Sequence, residues 1–501
     1  MTEGGFVHLV GGGPGDPGLI TVRGIRLLRR ADVILYDRLV NPSLLAEAGP
    51  HAELIDVGKS PDEQDGHTQI EITALMLDRA RTGATVVRLK GGDPFLFGRG
   101  GEEASALAEA GIGFDIVPGV TSALAGPAYA GIPATDRPRA SAVRVLTGQG
   151  APGVEPSPGT ERETAIVLMG VKTLAHVVES LQADGWPAEA PAALIEQATT
   201  ARQRTTVATL GTIADAASTI GVNAPAILIC GHVVNLRERI AWLEKRPLFG
   251  CRIMVLRGET RARELISLFD EAGAEVVHVP AVSFSRPTDW SNADPKLDDL
   301  GRFHCIAFTS ANGVDYFMDR LLATGRDARA LFRALLAVIG PATAAALNRH
   351  GLSADLMPDR YTATALADTI AARSAPGDAV LLPRGNLADN DLPRMLQERG
   401  FVTAPITVYR TLPGPNLAER AQAAIEWGVD AIILTSPSTA RNLVNALGER
   451  AAALDGISFI SAGPTTSRGA EEVGLHIAVE AAAHTASGII EATREWARGR
   501  R

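Results

Sequence analysis

From Ile253 onward the chain contains a duplication. IMVLRGETRARELISLFDEAGAEVVHVPAVSFSRP aligns with VLLPRGNLADNDLPRMLQERGFVTAPITVYRTLP from Val380, which sets Arg257 against Arg384 at an offset of 384 − 257 = 127. IAFTSANGVDYF aligns with IILTSPSTARNL, setting Thr309 against Thr435 at 435 − 309 = 126. AVIGPATAAAL aligns with FISAGPTTSRGA, setting Gly340 against Gly463 at 463 − 340 = 123. Three matches in one order at one near-constant offset define two copies of a unit. Each copy mixes short β-branched runs with segments of helical period, so the second half reads as two similar α/β lobes with a ligand cleft between them.

The same alternation runs through the first half. FVHLV, ADVILY, TVVRL, FDIVP, AVRVLTG and TAIVLMG are strand-like, and Ala/Leu/Arg-rich segments of helical period separate them. At 501 residues, 46% of them apolar, the chain is long enough for three or four compact units. Two breaks divide it. APGVEPSPGTERE, Ala151 to Glu163, is rich in Pro, Gly and Glu and lacks an apolar period; EKRPLFG, Glu244 to Gly250, precedes a new strand, CRIMVLRG.

Charge and cysteine usage remove several function classes. A formal charge of −9 with acids and bases evenly mixed leaves no basic stripe to follow a phosphate backbone, so no nucleic-acid partner is expected. Only five of the 48 basic residues are lysines, and the planar fork of arginine matches carboxylates in a bidentate way, although a GC-rich genome produces the same bias. Cys230, Cys251 and Cys305 are single, widely spaced and odd in number, which fits neither a disulfide framework nor a metal knuckle; no metal site and a reducing, cytoplasmic setting are expected. The start carries Glu3 and no basic segment, and no apolar run reaches the length of a membrane span, so the expectation is a protein without a membrane partner.

The first chemical motif is GGGPGDPG, Gly11 to Gly18, which follows a strand-like run. Gly13, Gly15 and Gly18 fit the spacing of a dinucleotide-binding turn, and Asp37 ends the next strand-like run, VILYD. That turn works through free backbone N–H groups at a helix start, and here Pro14 and Pro17 remove two of them. No Gly-Lys-Ser/Thr follows, which excludes a Walker loop. RLKGGDPFLFGRGGEE, Arg88 to Glu103, places a second Gly-Gly-Asp-Pro turn after a strand, where bare backbone can approach a ligand and Asp93 can accept hydrogen bonds from hydroxyls. PGVTSALAGPAYAGIPATDR then lets a ligand lie close to the chain.

Taken together, GPGDPGLIT, YDRLV, GK, RLKGGDPFLFGRGGEE, VPGVTSA and GIPATDR resemble the tetrapyrrole methylases, above all the uroporphyrinogen-III C-methyltransferases, over about the first 245 residues. The resemblance implies two α/β subdomains with S-adenosylmethionine held between them, much of it by backbone, and a homodimer formed through this half. Pro14, Gly91, Gly92, Asp93, Leu96, Thr121, Ser122, Met169 and Ala198 match cofactor-contacting positions. Asp37 and Lys59 match the proposed proton acceptor and donor for methylation of a pyrrole carbon, which must shed a proton as it gains the methyl. Arg99, Glu102 and Arg137 match positions that contact the eight-carboxylate substrate, with Arg38 and Arg88 as weaker candidates. The competing readings are ordinary ones: a helix N-cap for Asp37, a solvated charge for Lys59, surface ion pairs for the arginines.

In the second half FTSANGV, IGPATAAAL, YTATALAD, VYRT, LTSPSTA and AGPTTSRG resemble the uroporphyrinogen-III synthases, over about Cys251 to Arg501. That implies cofactor-free closure of hydroxymethylbilane, with inversion of the last pyrrole and loss of water, between two lobes joined by extended strands near Pro280–Pro287 and Ile406–Pro413. Tyr409 matches the family's candidate for assisting departure of the hydroxyl, a task for a phenol that is protonated at neutral pH. Ser310, Thr343, Ser436, Thr465 and Thr466 sit where hydroxyls and helix-start amides can hold acetate and propionate groups, or where they simply cap helices.

The two resemblances divide the chain into 1–246, with subdomains of about 1–150 and 164–246, and 247–501, with one lobe of about 251–281 plus 412–501 and another of about 286–407. They imply a bifunctional, cytoplasmic enzyme of sirohaem and cobalamin synthesis that cyclises hydroxymethylbilane to uroporphyrinogen III and methylates it twice to precorrin-2. A methylase of a later corrin intermediate, fused to a non-catalytic tetrapyrrole-binding module, stays open as the alternative. No NAD-binding domain precedes the first half, so oxidation and metal insertion are expected of other proteins.

Overall fold

The structure is a computed structural model that describes residues 5–49, 51–58, 68–149 and 162–500. Among these the chain builds four five-stranded sheets. The first comprises β1 (Phe6–Gly11), β2 (Val33–Tyr36), β3 (Glu53–Asp56), β4 (Thr85–Lys90) and β5 (Gly113–Val117) in the order β3-β2-β4-β1-β5, all parallel. Its central strands are largely apolar because helices cover both faces. Val7, Leu9, Val33, Leu35 and Val86 face Ile72 and Met76 of the helix Gln69–Arg81 on one side, and Val10, Ile34, Val87 and Leu89 face Leu28 and Leu44 on the other. Thr68 and Glu71 form a reciprocal capping box that starts the helix Gln69–Arg81.

The second sheet comprises β6 (Ala142–Thr147), β7 (Glu163–Leu168), β8 (Pro191–Glu196), β9 (Arg204–Thr209) and β10 (Ala226–Cys230) in the order β6-β7-β10-β8-β9. Only β6 and β7 are parallel; the remaining pairs are antiparallel. The helix Ser122–Tyr129, which follows the first sheet, packs Ala123 into this sheet's core with Ile166, Ala193, Ile195 and Ile227, so the two units share a buried seam.

The second half contains β11 (Arg252–Val255), β12 (Glu275–His278), β13 (Val282–Ser285), β14 (Cys305–Phe308), β15 (Leu335–Val338), β16 (Ala379–Gly385), β17 (Val402–Pro413), β18 (Ala431–Leu434), β19 (Ser458–Ser461) and β20 (Ile477–Glu480). One sheet has the order β12-β11-β18-β19-β20, all parallel; the other has the order β13-β17-β16-β14-β15, parallel except for β13. The orders superimpose: β12, β11, β18 and β19 correspond to β17, β16, β14 and β15. The duplicated sequences are therefore equivalent in the fold, but a copy is not a lobe. The first copy supplies β11 and β12 to one sheet and β14 and β15 to the other, and the second copy does the reverse. The crossing is made by β13 and the end of β17, paired antiparallel from Val282↔Pro413 to Ser285↔Arg410.

Candidate functional site

In a parallel sheet, ligands lie beyond the strand ends where neighbouring connections leave in opposite directions. In the first sheet that point falls between β1, whose chain continues to β2, and β4, whose chain crosses to β5. The turns after these two strands are joined there. Gly92 N donates to Gly13 O at 2.7 Å, Gly13 N to Gly92 O at 3.3 Å, and Gly12 N to Lys90 O at 2.7 Å. Gly119, from the loop after β5, enters the same junction, where a Cβ would sit 2.1 Å from Gly92 O and 2.7 Å from Gly11 Cα, both backbone. Gly92 itself has φ +67, and a Cβ there would have one neighbour within 4 Å, the Ser122 amide at 3.9 Å, so bare backbone borders open space.

The other cofactor candidates gather around this junction. Pro14 is half-buried in the turn, Thr121 caps the helix that begins at Ser122, and Leu96 packs beside Ala123 and Ala198. The far wall comes from the second sheet. A Cβ at Gly15 would be 2.8 Å from Thr200 and 3.1 Å from Ala198 O, and Asp16 N donates to Thr199 Oγ1 at 3.0 Å. Met169 is 44% exposed. Phe97, Arg99, Met169, Gln197 and Thr199 are five of the six non-glycine residues with left-handed φ among the described residues. Such conformations cost about 1–2 kcal/mol each and persist where the surroundings enforce them, commonly around ligands. Asp93 Oδ1 accepts from Phe95 N (2.8 Å) and Leu96 N (3.1 Å) and Oδ2 from Gly119 N (3.0 Å), so its carboxylate ties the two loops together.

Behind the junction lies a buried charge cluster. Arg88, 1% exposed, donates through Nη2 to Asp37 and through Nε to Glu103 at 3.1 Å; Lys90, 3% exposed, donates to Glu103 at 2.9 Å, and Gln69 does so at 3.1 Å. All three donors to Glu103 meet Oε1, while Oε2 is buried without a partner. Burial pushes the Lys90 ammonium below its ordinary value, Arg88 adds to that, and Glu103 and Asp37 pull the other way. Asp37 caps no helix. Asn41 does, its Oδ1 accepting from Ser43 N at 2.9 Å, which leaves Asp37 half-exposed and held from below by Arg88. Arg99 and Glu102 form an exposed bidentate pair at 2.8 and 2.7 Å, and that hydrogen bonding holds the Glu102 carboxyl below its usual range. Arg137 is exposed, and Lys59 lies outside the described residues.

The second half repeats the switch-point geometry. In one lobe the reversal falls between β16 and β14, and Tyr409 on β17 covers it. Tyr409 Oη lies 3.3 Å from Ser310 Oγ, and its ring fills the space where a Cβ on Gly385 would be, 2.6 Å from Cζ. Phe284 meets the ring edge-on at 5.8 Å and Tyr316 lies beside it at 5.7 Å. Ser310 also caps its helix, accepting from Gly313 N at 3.0 Å, so the same hydroxyl oxygen meets both the helix start and Tyr409. In the other lobe the reversal falls between β11 and β18, where Ser436 starts the helix Pro437–Leu447. Thr343 and Thr466, equivalent in the duplication, are 3% and 1% exposed, whereas Thr465 is exposed. At those two helix starts the threonine side chains are buried, behind Gly340 and Gly463, which are buried as well. Among the described residues no cluster of His, Cys, Asp and Glu could hold a metal ion.

Comparison with known proteins fits this division. The model of the tetrapyrrole (corrin/porphyrin) methylases matches residues 7–214, and that of uroporphyrinogen-III synthase HemD matches 263–491. The porphyrin biosynthesis protein HemD of Ruminiclostridium josui is 36% identical over 485 residues, 95% of either chain. The chain belongs to this family of fused tetrapyrrole methylases and uroporphyrinogen-III synthases. The uroporphyrinogen-III C-methyltransferase of Bacillus subtilis (strain 168) is 34% identical over 90% of this chain and 94% of its own. A solved uroporphyrin III C-methyl transferase from Thermus thermophilus is 40% identical, covering 46% of this chain and 99% of its own, with a TM-score of 0.40. The protein is thus a bifunctional enzyme of tetrapyrrole biosynthesis, with a methylase half and a synthase half.

Within the methylase half, motif reading overlooked Lys90 and Glu103. A signal existed: Arg88 and Lys90 stand two apart in TVVRLK, which puts two cations on one face of a strand between apolar neighbours. In the synthase half, Phe284, Tyr316 and Gly385 around Tyr409 were not singled out, since nothing local in their sequence brings them together.

Proposed function

We propose that the synthase half closes hydroxymethylbilane to uroporphyrinogen III and that the methylase half transfers two methyl groups to it from S-adenosylmethionine, giving precorrin-2. The observation that carries this reading is the presence of two differently equipped switch points in one chain. One is a glycine-lined, conformationally strained cleft beside Asp37 and Arg88; the other is a half-buried phenol over Ser310.

The methylase cleft suits a cofactor held largely by backbone. Its Gly92 turn borders open space that a side chain would fill, and Pro14, Gly91, Asp93, Leu96, Thr121, Ser122, Met169 and Ala198 surround it. When bound, S-adenosylmethionine supplies an electrophilic methyl group. The protein's own task is to orient the pyrrole carbon and take the proton that the ring sheds. Asp37 is the acceptor, held in place by its bond to Arg88. Lys59 is assigned the complementary donor role on family resemblance alone. Arg99 and Arg137 are solvent-facing cations that can pair with substrate carboxylates, Arg99 by exchanging its bond to Glu102, whose carboxylate can in turn accept from substrate pyrrole N–H groups.

In the synthase half Tyr409 gives its phenolic proton to the departing hydroxyl, which leaves as water, and the proton that the attacked pyrrole carbon sheds on ring closure restores the phenol. Ser310 orients the phenol, and Ser436 and Thr465, with the N2 amides that follow Pro341, Pro437 and Pro464 at three helix starts, hold acetate and propionate groups. The domain bounds assigned from the sequence, 1–246 and 247–501, belong to the same proposal, as does a homodimer through the methylase half. Exposed Phe95, Phe97 and Leu124 give that half apolar surface for a second copy, and three free cysteines suit a cytoplasmic setting.

The test is an anaerobic incubation of the purified chain with hydroxymethylbilane and S-adenosylmethionine, with products identified by mass and absorbance. Precorrin-2 is expected. Uroporphyrinogen I alone would defeat both assignments; uroporphyrinogen III without added methyls would keep the synthase and remove the methylase. Tyr409→Phe should lower cyclisation roughly 100-fold, the scale of one lost proton donor, with methylation of supplied uroporphyrinogen III unchanged.

A further inference from the structure

We propose that Glu275, a residue of the synthase half, is a positioning residue for the methylase half, tying together the two walls of its cofactor cleft. The proposal rests on the reading that S-adenosylmethionine binds between the methylase subdomains. Glu275 begins β12 and is 8% exposed. Its Oε1 accepts from Asn41 Nδ2 at 3.3 Å, and its Oε2 accepts from Ala201 N at 3.4 Å and Arg252 Nε at 2.9 Å. Asn41 belongs to the first methylase subdomain and Ala201 to the second, so one carboxylate from the other half of the protein bridges them.

Both bonds reach the cleft in one step. Asn41, 7% exposed, donates its remaining amide hydrogen to Gly15 O at 2.8 Å, inside the proline-rich turn. Ala201 ends the segment Ala198–Ala201, whose Thr199 holds Asp16 N at 3.0 Å and is itself in a left-handed conformation, φ +70. A β-branched residue keeps that conformation only where its neighbours hold it. The next residue, Arg202, extends the connection with bonds of 3.2 Å to Gly250 O and Gly428 O and an ion pair to Asp430. Ser43 adds a bond to Val276 O at 3.3 Å.

A carboxylate offers only acceptors, which is what this position requires: Asn41, Ala201 and Arg252 all present donors. Glu275→Gln keeps the shape and turns an NH2 group toward one of those donors. Glu275→Ala removes the shared acceptor from Asn41 and Ala201 and takes from Arg252 its ion-pair partner, leaving that guanidinium its bond to Trp427 O. Either way the turn carrying Pro14 and Gly15 loses its external anchor while the catalytic groups stay in place.

The test uses the full-length chain. In Glu275→Gln and Glu275→Ala, the KM for S-adenosylmethionine and the Kd for S-adenosylhomocysteine, by calorimetry, should rise about tenfold, within the usual range of coupling between sites. The methylation kcat at saturation should stay within about twofold, and the synthase rate of the same preparations, which reports folding, should equal wild type. A purely structural role would lower thermal stability and leave homocysteine-adduct affinity unmoved in the folded fraction. That result, in variants with a wild-type synthase rate, overturns the proposal.

If the variants do not fold, hydrogen exchange on the wild-type chain decides. Coupling is reciprocal, so S-adenosylhomocysteine should slow exchange around β12 as well as at Ala198–Ala201. Protection confined to the methylase half overturns the clasp alone. A wild-type chain that binds no S-adenosylhomocysteine overturns the cleft assignment and, with it, this inference.

Discussion

Glu103 sits at 0% exposure with Gln69, Arg88 and Lys90 all bonded to one of its oxygens. Replacing it with glutamine leaves two buried cations facing Asp37 as their remaining counter-charge. Removing one partner from such a group costs about 3–5 kcal/mol, so Glu103→Gln should lower the unfolding free energy of the methylase half, measured by denaturant titration, by an amount of that order. The cysteines yield a pH-dependent prediction. Burial pushes the Cys230 and Cys305 thiols up to about 12. Unfolded thiols release their protons at lower pH, so the unfolded state binds fewer protons in the window between. The stability these groups contribute is present in full below the unfolded thiol value and is lost as pH climbs through about 12. At pH 8 a thiol reagent should modify Cys251 at most in the native chain and all three cysteines after denaturation; rapid reaction of more than one native thiol would contradict the buried placement.

Among elements, the glycine junction is the least forgiving. Gly119→Ala would drive a Cβ against two backbone segments at 2.1 and 2.7 Å, neither of which can rotate away as a side chain could. The expected outcome is loss of S-adenosylhomocysteine binding by the full-length chain, with cyclisation of hydroxymethylbilane retained, measured on one preparation. Much at this scale was legible beforehand. The Gly-Gly-Asp-Pro turns, the strand-like runs and the duplication are local patterns, and local patterns survive in a sequence. The exchange of copies between lobes was not legible from the repeat, because a repeat reports which segments are alike and is silent on which sheet each one joins. The pairing of β13 with β17, from segments about 130 residues apart in sequence, decides that. Asp37 could be read as an acid after a strand, but its choice of Arg88 over a capping role depends on Asn41 taking the cap four residues later. Lys90 and Glu103 look like surface charges until helix and strand are packed.

For the whole molecule, the crossing has a consequence in time. During synthesis the lobe built from β14 to β17 with β13 is continuous and can close as soon as it emerges, whereas β11 must wait for β18. The gap from Val255 to Ala431 is 431 − 255 = 176 residues, roughly 9–35 s at ordinary elongation rates of 5–20 residues per second. Throughout that interval Ile253, Met254 and Val255, each 0% exposed in the finished fold, have β12 on one side and no strand on the other. Nascent chains halted between β17 and β18 should therefore resist protease across β14–β17 and be cut around β11 and β12; equal resistance in both regions would show that the first strands of the divided lobe find shelter early. The methylase half, complete before β11 is made, presents Asn41, Ser43 and Ala201 to β12, so the older half of the protein can act as the nursery for the strand pair that waits longest for its sheet.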